Sequence, residues 1–207
     1  MATRLHRPDV LGVFVKAPTP GQVKTRLAAE LGAARAAEVY RLMGRGVVSA
    51  CVSPEYDTVV WFTPADARRA VRDWLQGLGV GAFRAQAPGA LGARMAAAFL
   101  GHFRDGARRV ILIGSDCPEV DSRLVSRALA ELDQHDVVIG PAHDGGYYLI
   151  GLQRAAPRLF RGIAWSTEAV LEQTMACARE MGLRPALLPT LRDVDTASDA
   201  RAMDMLR

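Results

Sequence analysis

Basic and turn-forming residues cluster in the stretch VFVKAPTPGQVKTRLA, residues 13–28. Pro18 and Gly21 belong to a PTPG turn that cannot continue the apolar run before it. A helix expected to begin at about residue 23 would offer unpaired backbone N–H groups beside Lys16, Lys24 and Arg26. Such a loop is suited to binding a di- or triphosphate. The alternative is a solvated turn whose cations are merely exposed.

A second polar cluster follows the apolar run that ends in LIGSDCPEVD, residues 112–121. Asp116 at this position could hold a divalent cation, because Mg²⁺ typically uses one or two protein carboxylates together with substrate oxygens. The alternative role is a helix cap, for which Asp121 is better placed. Cys117 has no histidine near it in sequence to activate it as a nucleophile.

Acidic residues also occur in GPAHDGGYYLIG and LRDVDTASD. Asp144, before Gly145 and Gly146, marks either a tight turn or a close backbone approach to a ligand, and composition does not separate the two. We expect Asp193 and Asp195, two positions apart on an extended segment, to point to opposite sides, so that only one can easily reach a shared metal. We select Asp195, beside the helix cap Thr196, as the second metal ligand, with a solvated turn as the alternative.

A weaker signal lies in RAQAPGALGARMAAAF, residues 84–99. Gln86 could hydrogen-bond the edge of a nucleobase, and Arg94 could face a phosphate. Gly92 follows a Pro-Gly turn at the start of a helical segment.

These residues follow short apolar runs that a parallel sheet would align at one edge. Runs rich in β-branched residues alternate with segments of helical period, which predicts strands alternating with helices. Their continuous apolarity predicts burial on both faces, and ligands bind outside the carboxyl ends of such strands. We predict strands in DVLGVFV, YDTVVWF, RRVILIG, HDVVIGP, YYLIGL and LRPALLP, and helices over residues 33–50, 65–77, 92–103 and 122–134, from Ser166 or Thr167 as cap, and after Thr196 or Ser198 as cap.

Length and composition restrict the class of protein. The 207 residues predict one domain, 1–207, and 50% hydrophobic with 23% charged residues is typical of a globular protein. The net charge of +4 is not gathered into the aromatic-studded basic stripe of a nucleic-acid surface. Three dispersed cysteines predict no disulfide framework, and no apolar run is long enough to span a bilayer. We expect a cytoplasmic protein with small-molecule substrates and no nucleic-acid or membrane partner, and we allow for a homodimer.

Taken together, six motifs resemble the arsenosugar-biosynthesis-type glycosyltransferases, a family of small bacterial proteins long carried as a domain of unknown function. The motifs are VFVKAPTPGQVKTRLA, LGARMAAAF, LIGSDCPEV, GPAHDGGYYLIGL, WST and LRDVDTASD. The resemblance implies the GT-A-like fold of nucleotide-diphospho-sugar transferases, a three-layer α/β/α sandwich with a mostly parallel central sheet. More distantly, the first loop and the DVDT ending resemble phospholactate guanylyltransferases and molybdenum-cofactor nucleotidylyltransferases.

The resemblance also implies roles for the matching positions. Lys16, Lys24 and Arg26 would form the donor-phosphate loop, and Asp116 with Asp195 would bind Mg²⁺ or Mn²⁺. The sequence departs from many GT-A enzymes in having one acidic residue, in SDCP, where they carry D-x-D, so metal binding would be shared with a distant residue or be weaker. The acceptor side would comprise Asp144, Gly145, Gly146 and Tyr147, with Trp165 and Ser166 nearby.

Three functional hypotheses follow. The first is metal-dependent glycosyl transfer from a nucleotide-diphosphate sugar to a small acceptor, with Asp116, Asp144 and Lys24 as catalytic residues. The second is nucleotidylyl transfer from a nucleoside triphosphate at the same site, releasing pyrophosphate. The third is a non-catalytic nucleotide-binding protein, which has little need of two metal-compatible carboxylates.

Overall fold

One seven-stranded sheet runs through the structure, a computed structural model that describes residues 7–203 and 205. The strand order is β3-β2-β1-β4-β6-β5-β7, and β6 is antiparallel to both of its neighbours whereas the other pairs are parallel. The strands are β1 Asp9–Lys16, β2 Asp57–Thr63, β3 Ala82–Ala85, β4 Arg109–Ile113, β5 Val137–Pro141, β6 Tyr147–Leu152 and β7 Pro185–Leu187.

Helices cover both faces of this sheet, which gives the predicted three-layer α/β/α sandwich. They are α1 Thr25–Leu31, α2 Ala33–Cys51, α3 Arg68–Trp74, α4 Leu91–Arg104, α5 Ser122–Glu131, α6 Val170–Glu180 and α7 Ala197–Ala202, with 3₁₀ turns at Ala65–Ala67 and Pro157–Phe160. One core cluster packs α2 and α5 against the sheet, and a second cluster packs α4 and α6 against the opposite face. Among the described residues, no helix is both long and apolar enough to cross a bilayer.

Alternation along β1 explains why its sequence is apolar throughout. Leu11 and Val13 pack into the first cluster, whereas Val10 packs into the second. All three side chains are fully buried, and burial of each stabilises the fold by about 1.5–3 kcal/mol. The prediction that the strands are buried on both faces is therefore confirmed.

Local signals at two helix starts were predicted correctly. Asp121 caps α5 by accepting a hydrogen bond from the Leu124 backbone N–H at 2.9 Å. Thr196 caps α7, where its side chain and that of Asp199 form a reciprocal capping box. Each cap stabilises its helix by about 1 kcal/mol.

Three elements differ from the sequence prediction. The four-residue strand β3 was not expected, because AFRA lacks a β-branched run and forms a strand only by pairing with β2. The prediction that α6 is capped by Ser166 or Thr167 was wrong: the helix starts at Val170 and Ala169 precedes it without a side-chain cap. The helix expected to begin at about residue 23 starts at Thr25.

The strand order changes direction between β1 and β4. The chain moves from β1 outward through β2 to β3, and then returns to place β4 on the other side of β1. Lys16 ends β1 and Asp116 follows β4, so both lie at the carboxyl-end crevice formed by this reversal. The fold therefore brings the first two polar clusters of the sequence to one place.

Candidate functional site

Two adjoining pockets open at the carboxyl ends of the central strands. The cationic pocket, about 380 Å³, is lined by Lys16, Lys24, Arg26 and Arg94 among other residues. The acidic pocket, about 330 Å³, is lined by Asp116, Asp144 and Asp193 together with aromatic and apolar side chains. Phe14, Leu91 and Asp116 contribute to both pockets. The two pockets therefore share a wall and differ in the sign of their charge.

Lys24 lies between the two predicted metal ligands. Its Nζ donates a hydrogen bond to Oδ1 of Asp195 at 2.8 Å and forms an ion pair with Oδ1 of Asp116 at 2.8 Å. Burial alone would lower the pKa of Lys24, but the charges of Asp116 and Asp195 outweigh that effect, so its pKa lies above the usual value. Lys24 is therefore a buried cation held by two half-exposed carboxylates.

Two residues with strained backbones line the pockets. Among the described residues, Lys24 (φ 48°) and Ser166 (φ 66°) are the non-glycine residues with positive φ. Lys24 lines the cationic pocket and Ser166 the acidic one. This backbone region costs a non-glycine residue on the order of 1 kcal/mol, and such strain clusters at functional sites. The ion pairs of Lys24 help to hold its conformation.

The wall between β1 and β4 is fixed by Tyr40 of α2. Its hydroxyl accepts a hydrogen bond from the Lys16 backbone N–H at 2.9 Å and shares another with Ser115 Oγ at 2.9 Å. Burial is the main cause that raises the pKa of Tyr40 to about 12, so the phenol stays protonated at neutral pH. Sequence analysis missed this residue, because a tyrosine on an apolar helix face gives no signal of such contacts.

Gln86 and Arg94 line the cationic pocket, but their side chains already form hydrogen bonds within the protein. The Gln86 amide donates to the carbonyls of Trp61 at 2.9 Å and Val15 at 3.3 Å, at the ends of β2 and β1. Arg94 donates through Nε to the Gly89 carbonyl at 2.7 Å and through Nη1 to Gln86 Oε1 at 3.5 Å. Gln86 thus joins two strand ends, and its amide N–H groups are directed at the backbone rather than at a base edge.

The DGG segment is both a turn and part of a pocket, which answers the question that composition left open. Asp144 Oδ1 accepts a hydrogen bond from the Gly146 backbone N–H at 2.8 Å, and both residues line the acidic pocket. Gly145 has φ 85°, and a side chain there would collide with the backbone of Glu168. Gly145 therefore permits the loop to pack against the start of α6, while Asp144 and Gly146 face the cavity.

Asp193 lines the acidic pocket, whereas Asp195 lines the cationic one. The two side chains do go to different sides, but strand alternation is not the reason, because residues two apart on a regular strand share a face and residues 192–195 form no regular strand. Sequence analysis gave Asp193 no role. Burial first, and then the charges of Asp116 and Asp144, raise the pKa of Asp193 to about 7. In the sequence, Asp193 was visible only as an acidic residue close to Asp195, the predicted metal ligand.

Aromatic and apolar side chains form the rest of the acidic pocket. Tyr147 and Trp165 meet edge to face with their rings 6.3 Å apart, and Phe14 and Met95 complete the wall. A Cβ at Gly92 would lie 2.6 Å from the Phe160 carbonyl oxygen and 2.7 Å from Trp165 Nε1. Glycine at that position therefore allows Trp165 to approach α4.

The remaining predicted site residues fall into two groups, those that line a pocket and those that do not. Trp165, Ser166, Tyr147 and Gly146 line the acidic pocket, as the acceptor residues were expected to do together. Pro18, Gly21, Gly92 and Gly145 are not among the residues that line either pocket; they shape turns or close contacts around them. Cys117 lines the acidic pocket as a buried thiol, and burial raises its pKa to about 12.

Asp116 and Asp195 fit a divalent cation by donor type and by position. One oxygen of each lies 2.8 Å from the same atom, Lys24 Nζ, and the buried Oδ1 of Asp116 accepts no well-aligned hydrogen bond from the described residues. Over residues 7–203 and 205, no group of three His, Cys, Asp or Glu side chains is arranged to hold a metal. Two carboxylates therefore suit Mg²⁺ or Mn²⁺ only with substrate oxygens, and with the Lys24 ammonium displaced.

Comparison with solved structures places the chain among GT-A-like folds. It is similar to a protein from Desulfovibrio desulfuricans G20 that is provisionally named a nucleotide-diphospho-sugar transferase, with 37% identity, a TM-score of 0.89, and coverage of 95% of this chain and 86% of that one. The 4-diphosphocytidyl-2C-methyl-D-erythritol synthase of Anaerococcus prevotii DSM 20548 shares 8% identity, with a TM-score of 0.60 and coverage of 95% and 97%. Rv0371c of Mycobacterium tuberculosis H37Rv, in complex with manganese, shares 15% identity, with a TM-score of 0.52 and coverage of 94% and 97%.

Matches at the level of sequence define the family. No curated protein matches the chain. Residues 47–167 match the model of DUF2064, described as an uncharacterized protein conserved in bacteria. This segment includes β4 with Asp116 and the DGG loop with Asp144, so the match extends over most of the acidic pocket. The chain therefore belongs to the bacterial protein family DUF2064.

Proposed function

We propose that this protein is a transferase that uses a nucleotide-diphosphate donor, and that it transfers a glycosyl group from a nucleotide sugar to a small acceptor. The observation that carries the proposal is the junction of the two pockets at Asp116. A donor with its phosphates in the cationic pocket would present its reactive end to the acidic pocket. The 37% identical protein provisionally named a nucleotide-diphospho-sugar transferase supports this choice, as does the resemblance to arsenosugar-biosynthesis-type glycosyltransferases.

The donor phosphates are assigned to the cationic pocket by charge. Lys16, Arg26 and Arg94 supply cations on its wall, and Lys24 lies at the boundary with the acidic pocket. Preorganised cations are worth most where negative charge develops during the reaction, which in glycosyl transfer is the departing diphosphate. These side chains would therefore stabilise the leaving group as well as bind the donor.

The acceptor would be activated from the other side of the junction. Its hydroxyl oxygen attacks the anomeric carbon, the bond from that carbon to the diphosphate oxygen breaks, and the hydroxyl proton passes to a carboxylate. Asp144 is the proposed base, because it lines the acidic pocket and is exposed to an entering acceptor. A divalent cation held by Asp116 and Asp195 would add Lewis-acid stabilisation of the phosphate charge.

Nucleotidylyl transfer is the second candidate. The cationic pocket has enough positive side chains for a triphosphate, which is the observation that favours it. In that reaction the acceptor oxygen would attack the α-phosphorus and pyrophosphate would leave toward Lys16 and Arg26. The two reactions use the same cations and differ in the atom that is attacked.

A thermal-shift panel tests these proposals. Nucleoside triphosphates and nucleotide-diphosphate sugars would each be added with and without Mg²⁺ or Mn²⁺, since a ligand that binds the native state raises its stability. Metal-dependent stabilisation chiefly by one nucleotide sugar supports glycosyl transfer, and stabilisation chiefly by one triphosphate supports nucleotidylyl transfer. Nucleotide binding that does not depend on metal, together with no turnover, indicates a non-catalytic protein. If no nucleotide stabilises the protein, the proposal is contradicted.

The Asp116→Ala variant is the control for metal binding. Asp116 follows β4 and its side chain is 45% exposed, so the variant should fold normally. We expect it to lose the metal-dependent part of the stabilisation. Unchanged metal dependence would contradict the role of Asp116 as a ligand.

A further inference from the structure

We propose that the acidic pocket accepts a small molecule without negative charge, one that carries hydroxyl groups and an apolar face. The proposal rests on the proposed function, because it names the class of acceptor for that site. It excludes phosphorylated and carboxylated acceptors. It is carried by the charge of the pocket wall, its aromatic surface and its size.

The charged side chains that line the acidic pocket are all carboxylates. Asp116, Asp144 and Asp193 line the acidic pocket, and none of the described residues that line it is lysine, arginine or histidine. Lys24 contacts Asp116, but it lines the cationic pocket and is already bound by two carboxylates. A divalent cation held by Asp116 and Asp195 would have its charge balanced by those two carboxylates and the donor phosphates. An anionic acceptor would therefore still meet Asp144 and Asp193 with no cation on the pocket wall, and like charges brought together strongly disfavour binding.

Two of the hydrogen-bond donors on the pocket wall are already engaged within the protein. The backbone N–H of Gly146, which faces the loop, already donates to Asp144 Oδ1. The hydroxyl of Thr167 donates to the Ala164 carbonyl at 2.7 Å. Carboxylates offer acceptor positions to the hydroxyl groups of an incoming molecule, because an ionised carboxylate only accepts hydrogen bonds. The pocket chemistry is thus suited to a hydroxyl donor.

The opposite wall provides the apolar surface. Phe14, Met95, Tyr147 and Trp165 line the cavity, and Trp165 is held edge to face against Tyr147. Aromatic faces bind the apolar side of ring compounds, and convergent polar groups then fix their orientation. A volume of about 330 Å³ limits the occupant to a small molecule.

Matched pairs of compounds test the inference directly. The probes are myo-inositol with inositol 1-phosphate, glucose with glucose 6-phosphate, and glycerol with glycerol 3-phosphate. Binding to the full chain is followed by saturation-transfer NMR and by tryptophan fluorescence, with Trp165→Phe identifying the signal of this pocket. We expect the phosphorylated member of each pair that binds to be at least about tenfold weaker.

A charge variant supplies the second readout. Asp144→Asn should reduce the ratio between the affinities of the uncharged and the phosphorylated member of a pair by about two- to threefold. Glu180→Gln removes an equal charge from an exposed position at the end of α6 opposite to Val170, which lines the acidic pocket, and should not narrow the difference in affinity.

Three results would overturn the inference: a phosphorylated probe that binds as well as its partner, no binding by any uncharged probe, or an equal effect of the two variants. Nucleotide binding in the thermal-shift panel is measured independently of these probes. If no nucleotide binds, the proposed function is contradicted. If nucleotides bind but a phosphorylated probe is preferred over its uncharged partner, only the present inference is contradicted.

Discussion

Lys24 Nζ and Asp195 Oδ1, separated by 171 residues in the chain, lie 2.8 Å apart. The contact joins the loop after β1 to the segment before α7, at the point where the carboxylate of Asp116 also arrives. The ammonium therefore lies where a divalent cation held by the same two carboxylates would lie. Lysine and metal compete for one place, so this residue should control how strongly the free protein binds a metal.

Substituting Lys24 with methionine should increase the affinity for divalent cations in the absence of nucleotide. The variant keeps a long unbranched side chain but leaves Asp116 without its cation, and leaves Asp195 with only the exposed Arg26, whose Nη1 lies 3.8 Å from Asp195 Oδ2. We expect Mn²⁺ to bind at least about tenfold more tightly, because one unit of positive charge at contact distance is worth on the order of 1 kcal/mol or more at a half-exposed site. Electron paramagnetic resonance of free Mn²⁺ measures this affinity.

Lys16→Met is the matched control for that comparison. Lys16 lines the same pocket, and its removal makes an equal change in net charge. It should increase Mn²⁺ affinity much less than Lys24→Met does. Equal effects would mean that Lys24 acts only through the general field of the pocket, and the competition would be refuted.

Donor affinity should depend on the exposed cations of the cationic pocket. Replacing Lys16 and Arg26 together with glutamine should weaken the best nucleotide of the thermal-shift panel by about tenfold at low salt, since each removes a charge-assisted contact to phosphate. The loss should shrink near about 1 M salt, where such charges are screened. Isothermal titration at the two salt concentrations measures it.

The control for this pair removes two exposed arginines elsewhere. Arg69 in α3 and Arg123 in α5 lie outside both pockets. Their glutamine double variant has the same net charge as the test variant. An equal loss of nucleotide affinity in the control would indicate that the first loop is a solvated turn with no role in binding.

The sheet could be predicted from sequence because its strands carry their own signal. β1 and β4 are apolar along their length and pack on both faces, so their composition alone marks them. β3 could not be found in that way, since its four residues form a strand only against the edge of β2. The start of α6 was misplaced for a related reason: the loop before it adopts positive φ at Ser166, which its polar sequence does not reveal.

The candidate site was predicted as far as strand ends could show it. Lys16 ends β1 and Asp116 follows β4, and the parallel pairing of those strands places both at the same edge of the sheet. Asp193 needed tertiary information, because its position depends on the Val194 backbone N–H donating to the Asp116 carbonyl. The division into a cationic and an acidic pocket likewise appears only when the distant DVD segment meets both loops.

Stability should fall in acid because of a buried histidine. His102 is fully buried, and Trp61 Nε1 donates a hydrogen bond to its Nε2 at 2.9 Å. Burial first, and then the charge of Arg84, lower the pKa of His102 from 6.5 to about 4. The unfolded chain binds this proton more readily, so the contribution is complete above about pH 6.5 and is lost as pH falls toward 4. The free energy of unfolding should lose about 3 kcal/mol from this group.

The His102→Gln variant isolates that contribution. Glutamine can still accept the hydrogen bond from Trp61, but it does not titrate. Urea unfolding at about pH 7 and about pH 4.5 should show the wild type losing about 2–3 kcal/mol more than the variant. Parallel losses in the two proteins would show that His102 is not responsible, whatever the other acidic and basic groups contribute.

Gly92 should be required for the shape of the acidic pocket. An alanine methyl group there would lie 2.6 Å from the Phe160 carbonyl oxygen and 2.7 Å from Trp165 Nε1, closer than carbon atoms approach in folded proteins. Trp165 must then move, and overpacking of this kind costs about 1–3 kcal/mol. Urea unfolding should show the loss, and the tryptophan fluorescence of the folded protein should change.

Gly46→Ala provides the matched control, because Gly46 lies within α2 and a Cβ there has open space. Alanine at an exposed helix position should stabilise the protein by about 0.5–1 kcal/mol. The same chemical change thus has opposite signs at the two glycines, since one position is limited by tertiary contact and the other by helix propensity. If Gly92→Ala stabilises the protein as Gly46→Ala does, Trp165 is not held by close packing against α4, and the aromatic wall assigned to the acceptor is wrong.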